Sequence, residues 1–323
     1  MPCQLREVRG MALIEVEGLR KSYGKREVLK GVSFTVGAGQ IVGILGPNGS
    51  GKTTCVECIG GLRVRDGGRI SVDGMDPRDD DLRLRLELGM QLQDSRMPSK
   101  ITVAEALDLY RAFYPSPRGT DELLERFGLG SQRDTRFEKL SGGQQQRLSV
   151  ALALAGNPRI AILDELTTGL DPAARLEIWD FLSELRRDGL TVLLVTHFMA
   201  EAQHLCDRVV VLRTGEVVAD DTPDGLSARV GGTQTMTFRP SKPLEISALV
   251  ALTGVSGAHP QGDGLSVTGV GDFTAGVITF LASQGATAHN LRIDAPDLDD
   301  AYLTLTRDSE QVADSTNPGG DTA

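Results

Sequence analysis

The chain contains no run of 18 or more apolar residues, so no helix that spans a bilayer is expected from it. Its start, Met1-Pro2-Cys3-Gln4, lacks the charged and apolar regions of a secretory signal, which makes the cytoplasm the expected compartment. Lys and Arg never run longer than a pair, and 34 of them against 44 Asp and Glu leave a net charge of −10. Nucleic-acid phosphates call for clustered cations, so no nucleic-acid partner is expected. Cysteine is scarce: Cys3, Cys55, Cys58 and Cys206 are all there is, and they would stay reduced in the cytoplasm. Cys55-Val56-Glu57-Cys58 has the spacing of a redox or half-zinc motif, but no second such pair or suitable His pair accompanies it. Both thiols read as structural. No internal repeat and no heptad run is present.

What remains is a globular balance over 323 residues, 40% hydrophobic and 24% charged, enough for one large domain and one small. Three apolar runs, Ile41 to Leu45, Ile160 to Leu163 and Thr191 to Val195, predict the buried strands of a parallel sheet. Each leads straight into polar residues, and ligands of open α/β sheets bind at the carboxyl ends of the strands. The spacing therefore predicts an α/β domain over 12–228, with a helical subdomain inserted at about 82–158. Thr102 and Glu105 form a capping box that opens a helix there, and Pro115, Pro117 and Gly119 end it. From 232 to 307, strand-like pieces (Thr235 to Phe238, Gly264 to Val270) alternate with helical ones (Leu244 to Leu252, Phe273 to Ser283), as in a small α+β domain. From Asp294 onward eight acidic residues face one Arg, and 308–323 read as a disordered tail.

Gly46-Pro47-Asn48-Gly49-Ser50-Gly51-Lys52-Thr53, continued by Thr54, fits the phosphate-loop pattern. Glycines let the backbone curl and turn its N–H groups toward phosphate oxygens. The helix that follows offers its N-terminal N–H groups and dipole to the same anion. Lys52 can reach the β and γ phosphates, and the Thr53 hydroxyl can ligate Mg²⁺. Asp164-Glu165 ends the second apolar run, and two adjacent carboxylates there are costly without partners such as a metal ion or water. Asp164 fits the Mg²⁺ shell, and Glu165 is placed to accept a proton from an attacking water. Leu140-Ser141-Gly142-Gly143-Gln144 opens a helix running from Gln145 to Ala155. Ser141 and Gln144 make a capping box, yet two glycines cost about 1 kcal/mol each relative to Ala within a helix. That cost makes sense if the backbone must lie flat against a phosphate.

Ser141 to Gln144 resemble the signature element of ABC ATPases, and other landmarks of that family follow in order over about residues 12 to 228. The resemblance implies that Tyr23 stacks on adenine, that Gln93 touches Mg²⁺ and nucleotide and senses a membrane partner, and that His197 contacts the γ-phosphate. It implies that Gly169-Leu170-Asp171-Pro172 communicates across a dimer interface, although Asp171-Pro172 is also a good N-cap and first helical residue. It further implies a phosphate-loop NTPase core of ABC type, an ATPase with Glu165, His197 and Lys52 at the reaction, and ATP and Mg²⁺ as ligands. The expected partners are a separate integral membrane permease and a second copy of the ATPase subunit, joined head to tail so that each ATP lies between Lys52 of one and Ser141 to Gln144 of the other. The expected location is the cytoplasmic face of the membrane. One departure stands out: the family usually has Pro after the catalytic Glu, and this chain has Leu166.

Asp297-Leu298-Asp299-Asp300-Ala301-Tyr302-Leu303 and the stretch Gln91 to Ser95 resemble ATPases that serve drug, antibiotic, polysaccharide or lipid export, such as the daunorubicin-resistance type. An importer ATPase is the next reading. A soluble translation or repair factor would carry two cassettes or long coiled coils, and this chain has neither. A GTPase would show Asn-Lys-x-Asp, which is missing. Met11-Ala12-Leu13-Ile14 resembles a usual beginning for the family, which makes residues 1 to 10 a candidate extension.

Overall fold

The computed structural model describes residues 12–79, 82–92, 97–167, 169–229, 234–294 and 298–307. These divide into two units, one ending at Pro223 and the other starting at Asp224. The first runs β1 (Ala12–Tyr23), β2 (Arg26–Gly37), β3 (Ile41–Leu45), α1 (Lys52–Ile59), β4 (Gly67–Val72), α2 (Leu82–Glu87), β5 (Leu88–Gln91), α3 (Val103–Arg111) and α4 (Thr120–Arg126). It continues through α5 (Gly142–Leu154), β6 (Ile160–Asp164), α6 (Pro172–Arg187), β7 (Thr191–Val195), α7 (Met199–Leu205), β8 (Arg208–Arg213) and β9 (Glu216–Asp221).

The three apolar runs are β3, β6 and β7, buried along their whole length, as strands covered on both faces must be. They sit together in a six-stranded sheet of order β5-β6-β7-β3-β8-β9. All neighbours are parallel except the β8–β9 pair. Val195 is in register with Ile44 on one side and Asp164 on the other. The residues that follow these three strands therefore emerge side by side at one edge.

A second sheet, of order β2-β1-β4, is antiparallel. In β2, buried Val32, Phe34 and Val36 alternate with exposed Ser33 and Thr35, the period-two pattern of a half-buried strand. One hydrophobic core joins this sheet, α1 and the large sheet, through Leu29, Phe34, Val56, Ile59, Ile162 and Leu193 among others. Cys55 and Cys58 belong to it. Burial pushes the Cys58 thiol up to about 11 and raises Cys55 as well, with burial again the first cause. A thiolate is thereby suppressed, in keeping with a structural role.

The range 82–158 is not helical throughout. Leu88–Gln91 form β5, which pairs in parallel with β6 and closes one edge of the large sheet. Four residues directly after a helical segment are too few to show a strand period, which hid this element from the sequence pattern. The rest of the range is helical as expected: α5 packs on β5, β6 and α3, and α3 packs on α4. Thr102 caps α3 with the complete capping box.

The second unit contains α8 (Pro223–Arg229, which begins at the last residue of the first unit), β10 (Gln234–Pro240), α9 (Ile246–Val250), β11 (Val255–Gln261), β12 (Gly264–Gly269), α10 (Phe273–Ser283), β13 (Ala288–Asp294) and α11 (Leu298–Arg307). Its antiparallel sheet has the order β11-β12-β10-β13. Met236, Phe238, Leu249, Val267, Phe273 and Val277 form its core. The sequence segments assigned to β10, α9, β12 and α10 are found there. The two edge strands had gone unread: β13 is mostly exposed, and β11 carries Pro260, which an edge tolerates. Among the described residues no helix is long and apolar enough to cross a membrane. The proposed tail 308–323 and the candidate extension 1–10 lie outside the described residues.

Candidate functional site

At the carboxyl edge of β3 the chain turns through the phosphate loop into α1. A Cβ on Gly46 would lie 2.3 Å from the Leu212 carbonyl oxygen, so only glycine fits beside β8. Gly51 caps α1 at φ +105°, a left-handed conformation that L side chains rarely adopt. The N–H groups of Lys52 and Thr53 open α1 and have no intrahelical partner by geometry. Lys52 is largely buried, and its Nζ donates to the carbonyls of Gly46 at 2.7 Å and Pro47 at 3.1 Å. Burial lowers its pKa, opposed by the charges of Asp164 and Glu165.

Lys52, Thr53, Thr54, Asn48, Gly49 and Gly51 line one open cleft together with Asp164 and Glu165 from the end of β6. Asp164 is 1% exposed, and its Oδ2 has no hydrogen-bond partner among the described residues. Burial, then the neighbouring Glu165 charge, pushes its carboxyl up to about 6; Lys52 and a hydrogen bond from Thr53 pull the other way. A buried carboxylate oxygen without a partner, next to a hydroxyl at the mouth of a phosphate loop, suits a hard divalent cation. One buried carboxylate and one hydroxyl at this edge fit Mg²⁺, a cation that takes one or two carboxylates and completes its shell with phosphates and water.

Glu165 adopts φ +53°, rare for a residue with a side chain. Its N–H bonds the Val195 carbonyl at 2.8 Å, so β7 fixes its backbone. His197, two residues past β7, places Nδ1 3.3 Å from Glu165 Oε1 and packs its ring 4.2 Å from Phe198. The register of three strands thus brings Lys52, Asp164, Glu165 and His197 together, as the sequence implied.

Other predicted residues stand elsewhere. Tyr23 ends β1, 42% exposed, with the Arg63 guanidinium 5.2 Å from its ring centre. Across the hairpin it pairs with Arg26, which does line the cleft. Ser141 caps α5 with a full capping box to Gln144, and the helix begins at Gly142 rather than at Gln145. Ser141 and Gly142 are exposed and do not line the cleft of Lys52. Asp171 caps α6 by accepting from the Ala174 N–H at 3.0 Å, which holds its carboxyl below the usual range. Gln93 lies outside the described residues. Sequence reasoning missed Arg26 and Val28, which form the cleft wall on β2, and Gln146, whose Nε2 donates to the Glu165 and Leu166 carbonyls at 3.3 and 2.9 Å. An exposed Arg on a strand carries no sequence signal, and Gln146 looks like any polar helix residue.

The raised Asp164 makes one stability prediction. Its ionised form is disfavoured in the native state, so at pH 7.5 it costs stability that Asn would not. Asp164→Asn should stabilise the nucleotide-free protein by about 3 kcal/mol, from a shift of roughly two pKa units. The native state gains its proton as pH falls through about 6, which relieves the cost, so the advantage should shrink there and vanish below the unfolded pKa. Urea unfolding of both proteins at pH 7.5 and 5 checks this; an Asn variant less stable at pH 7.5 would contradict it.

Residues 29–168 match the family described as ABC transporter. The chain is 35% identical over 312 residues to a daunorubicin resistance ATP-binding protein of Streptomyces coeruleorubidus, covering 94% of this chain and 98% of that one. It is 42% identical over 244 residues to the Nod factor export ATP-binding protein I of Rhizobium meliloti (strain 1021), covering 74% of this chain and 72% of that one. Among solved structures it is similar to the ATP-binding subunit of an ABC transporter, at 30% identity and a TM-score of 0.63 over 68% of this chain and 93% of that one. A dimeric post-hydrolysis ATP-binding cassette bound to ADP and phosphate aligns at 30% identity and a TM-score of 0.60, over 65% of this chain and 98% of that one.

Proposed function

The chain belongs to the ABC transporter family as an ATP-binding, ATP-hydrolysing subunit, and on that premise we propose that it powers export of a small molecule, of the drug, antibiotic or lipid-like class, through a separate integral membrane permease. The observation that carries this reading is the extent of likeness to the daunorubicin resistance protein. It runs through the second unit as well as the first, whereas the solved cassettes match only about two thirds of the chain. In this reading 12–228 is the ATPase domain, 232–307 an accessory α+β domain, and the subunit works as a homodimer on the cytoplasmic face of the membrane.

The phosphate loop, with Lys52 as its cation, binds the β and γ phosphates; Thr53 and Asp164 would hold Mg²⁺, and the family resemblance assigns Gln93 to the same ion. Mg²⁺ would neutralise charge that develops on the transferred phosphoryl group. Glu165 accepts the proton of the attacking water, and His197, held against its carboxylate, faces the γ-phosphate. Tyr23 stacks on adenine. In the dimer Ser141 to Gln144 of the second copy cover the nucleotide, and the exposure of Ser141 and Gly142 in one chain supports that shared site. Asp171 acts across the same interface.

Inside-out vesicles that hold this chain with its membrane permease should accumulate a lipophilic cationic drug when given ATP, and vesicles with Glu165→Gln should not. ATP-dependent accumulation in right-side-out vesicles instead would make the system an importer.

A further inference from the structure

Glu165 must be held in a conformation that costs about 1–3 kcal/mol and persists only if its surroundings enforce it. The next residue, Leu166, offers no ring to stiffen the turn. The enforcement comes from α5. Gln146 reaches across to both carbonyls, Glu165 O at 3.3 Å and Leu166 O at 2.9 Å. Gln146 lies one turn beyond Gly142, and so on the same helix face as Gly142 and Gly143. The fastening has a second point, because a Cβ on Gly143 would come within 3.1 Å of Leu170 Cδ2. A third is electrostatic: Arg147 helps to hold the Asp171 carboxyl down and lies 3.6 Å from Glu177 in α6. The connection from β6 to α6 is therefore tied at both its ends to the first two turns of α5.

We propose that Gln146 is a positioning residue for Glu165, and that through it the helix start carrying Ser141 to Gln144 sets the catalytic base of its own subunit. The inference rests on the shared-site reading above. Its consequence is directional: when the nucleotide of the partner subunit seats on Ser141 to Gln144, α5 shifts or stiffens, and Gln146 transmits this to Glu165 by way of two backbone carbonyls. One subunit then links two ATP sites without any residue touching both. A purely structural glutamine would support the fold and leave that link untouched.

The test uses the full chain. Gln146→Ala should bind ATP with unchanged affinity, because nothing in the phosphate loop moves. Its kcat should fall about tenfold to a hundredfold, the scale of a misplaced base, with KM near the parent value. The dependence of rate on ATP should lose its cooperativity, the Hill coefficient falling from about 2 toward 1 if the sites are linked through this residue. Gln146→Glu provides the second reading. Ionised, it sets a carboxylate against two carbonyls and should be slower than the Ala variant; protonated, it donates one hydrogen bond and should recover. Its rate relative to the parent should therefore rise as pH falls from 8 to 6. An Ala variant with normal kcat and Hill coefficient overturns the proposal. So does an Ala variant whose loss appears in ATP affinity, or a Glu variant whose rate relative to the parent does not change with pH. Failure of the shared-site reading itself would show separately, as an ATP-bound Glu165→Gln dimer that Ser141→Asp leaves intact.

Discussion

Glu165→Gln should hydrolyse ATP about a hundredfold to ten-thousandfold more slowly than the parent while still binding it, since a positioned general base contributes on that scale. The substitution alters one carboxylate oxygen and nothing that holds it. The backbone of Glu165 is fixed through its N–H to Val195 and its carbonyl to Gln146, and both bonds survive. The amide keeps the size of the carboxyl and can still meet His197 Nδ1. Asp164 gains, because Glu165 is the second cause of its raised pKa, and removing that charge lets it ionise more readily for a cation. With turnover blocked, ATP should stay trapped between the two copies, and the variant should elute as a dimer in ATP and as a monomer without it. Ser141→Asp then tests the contact. Asp keeps the N-cap hydrogen bond that Ser141 now provides, so α5 still starts correctly, but it sets a negative charge against the phosphates of the partner's nucleotide. The double variant should be monomeric in ATP. A Glu165→Gln protein with normal turnover would remove Glu165 from the reaction; one that is inactive yet monomeric in ATP would show that the membrane subunit is needed to bring the copies together.

The parts legible in the sequence are those where function and fold impose the same residue. Apolar strands that stop abruptly at Gly46, at Asp164-Glu165 and near His197 announce a parallel sheet and its ligand edge at once, and the register of Ile44, Asp164 and Val195 bears this out. Capping boxes at Thr102 and Ser141 and the Asp171 cap are short-range chemistry, readable from three or four residues. The antiparallel sheet leaves its mark in the alternation of buried Val32, Phe34 and Val36 with exposed Ser33 and Thr35. β5 and β13 were not readable, the first for its length and the second because an exposed edge has no buried face to imprint a period. Least visible were relations set only by the tertiary fold: the left-handed backbone of Glu165, the grip of Gln146 on it, and the Arg26 wall of the cleft. None has a local sequence signature, because each depends on residues that come together only when distant elements pack.

Lys52→Ala should lose tight nucleotide binding, and the reason lies as much in the carboxylates as in the phosphates. The Lys52 ammonium is the cation whose charge the structure sets against Asp164 and Glu165. In the nucleotide-free chain it bonds two loop carbonyls, which it can exchange for phosphate oxygens at little cost, since the loop already encloses it. Charge-assisted hydrogen bonds of this kind contribute about 1.5–3 kcal/mol each. Losing two of them weakens binding by roughly a hundredfold or more. A second effect adds to this. Without Lys52 only the Thr53 hydrogen bond offsets the burial of Asp164 and its repulsion by Glu165, so its carboxyl moves further up from about 6 and holds its proton nearer neutrality. A protonated Asp164 is a poor ligand for a cation, and an ionised pair repels the phosphates; either state opposes the substrate. Lys52→Arg should fare better than Ala but not match Lys, because a broad guanidinium does not fit the space that encloses a compact, buried ammonium. Equilibrium dialysis with ATP at pH 8 should give the order Lys, Arg, Ala. Parent-like affinity in the Ala variant at pH 8 would show that the loop does not hold the phosphates, and would withdraw the assignment of the whole cleft.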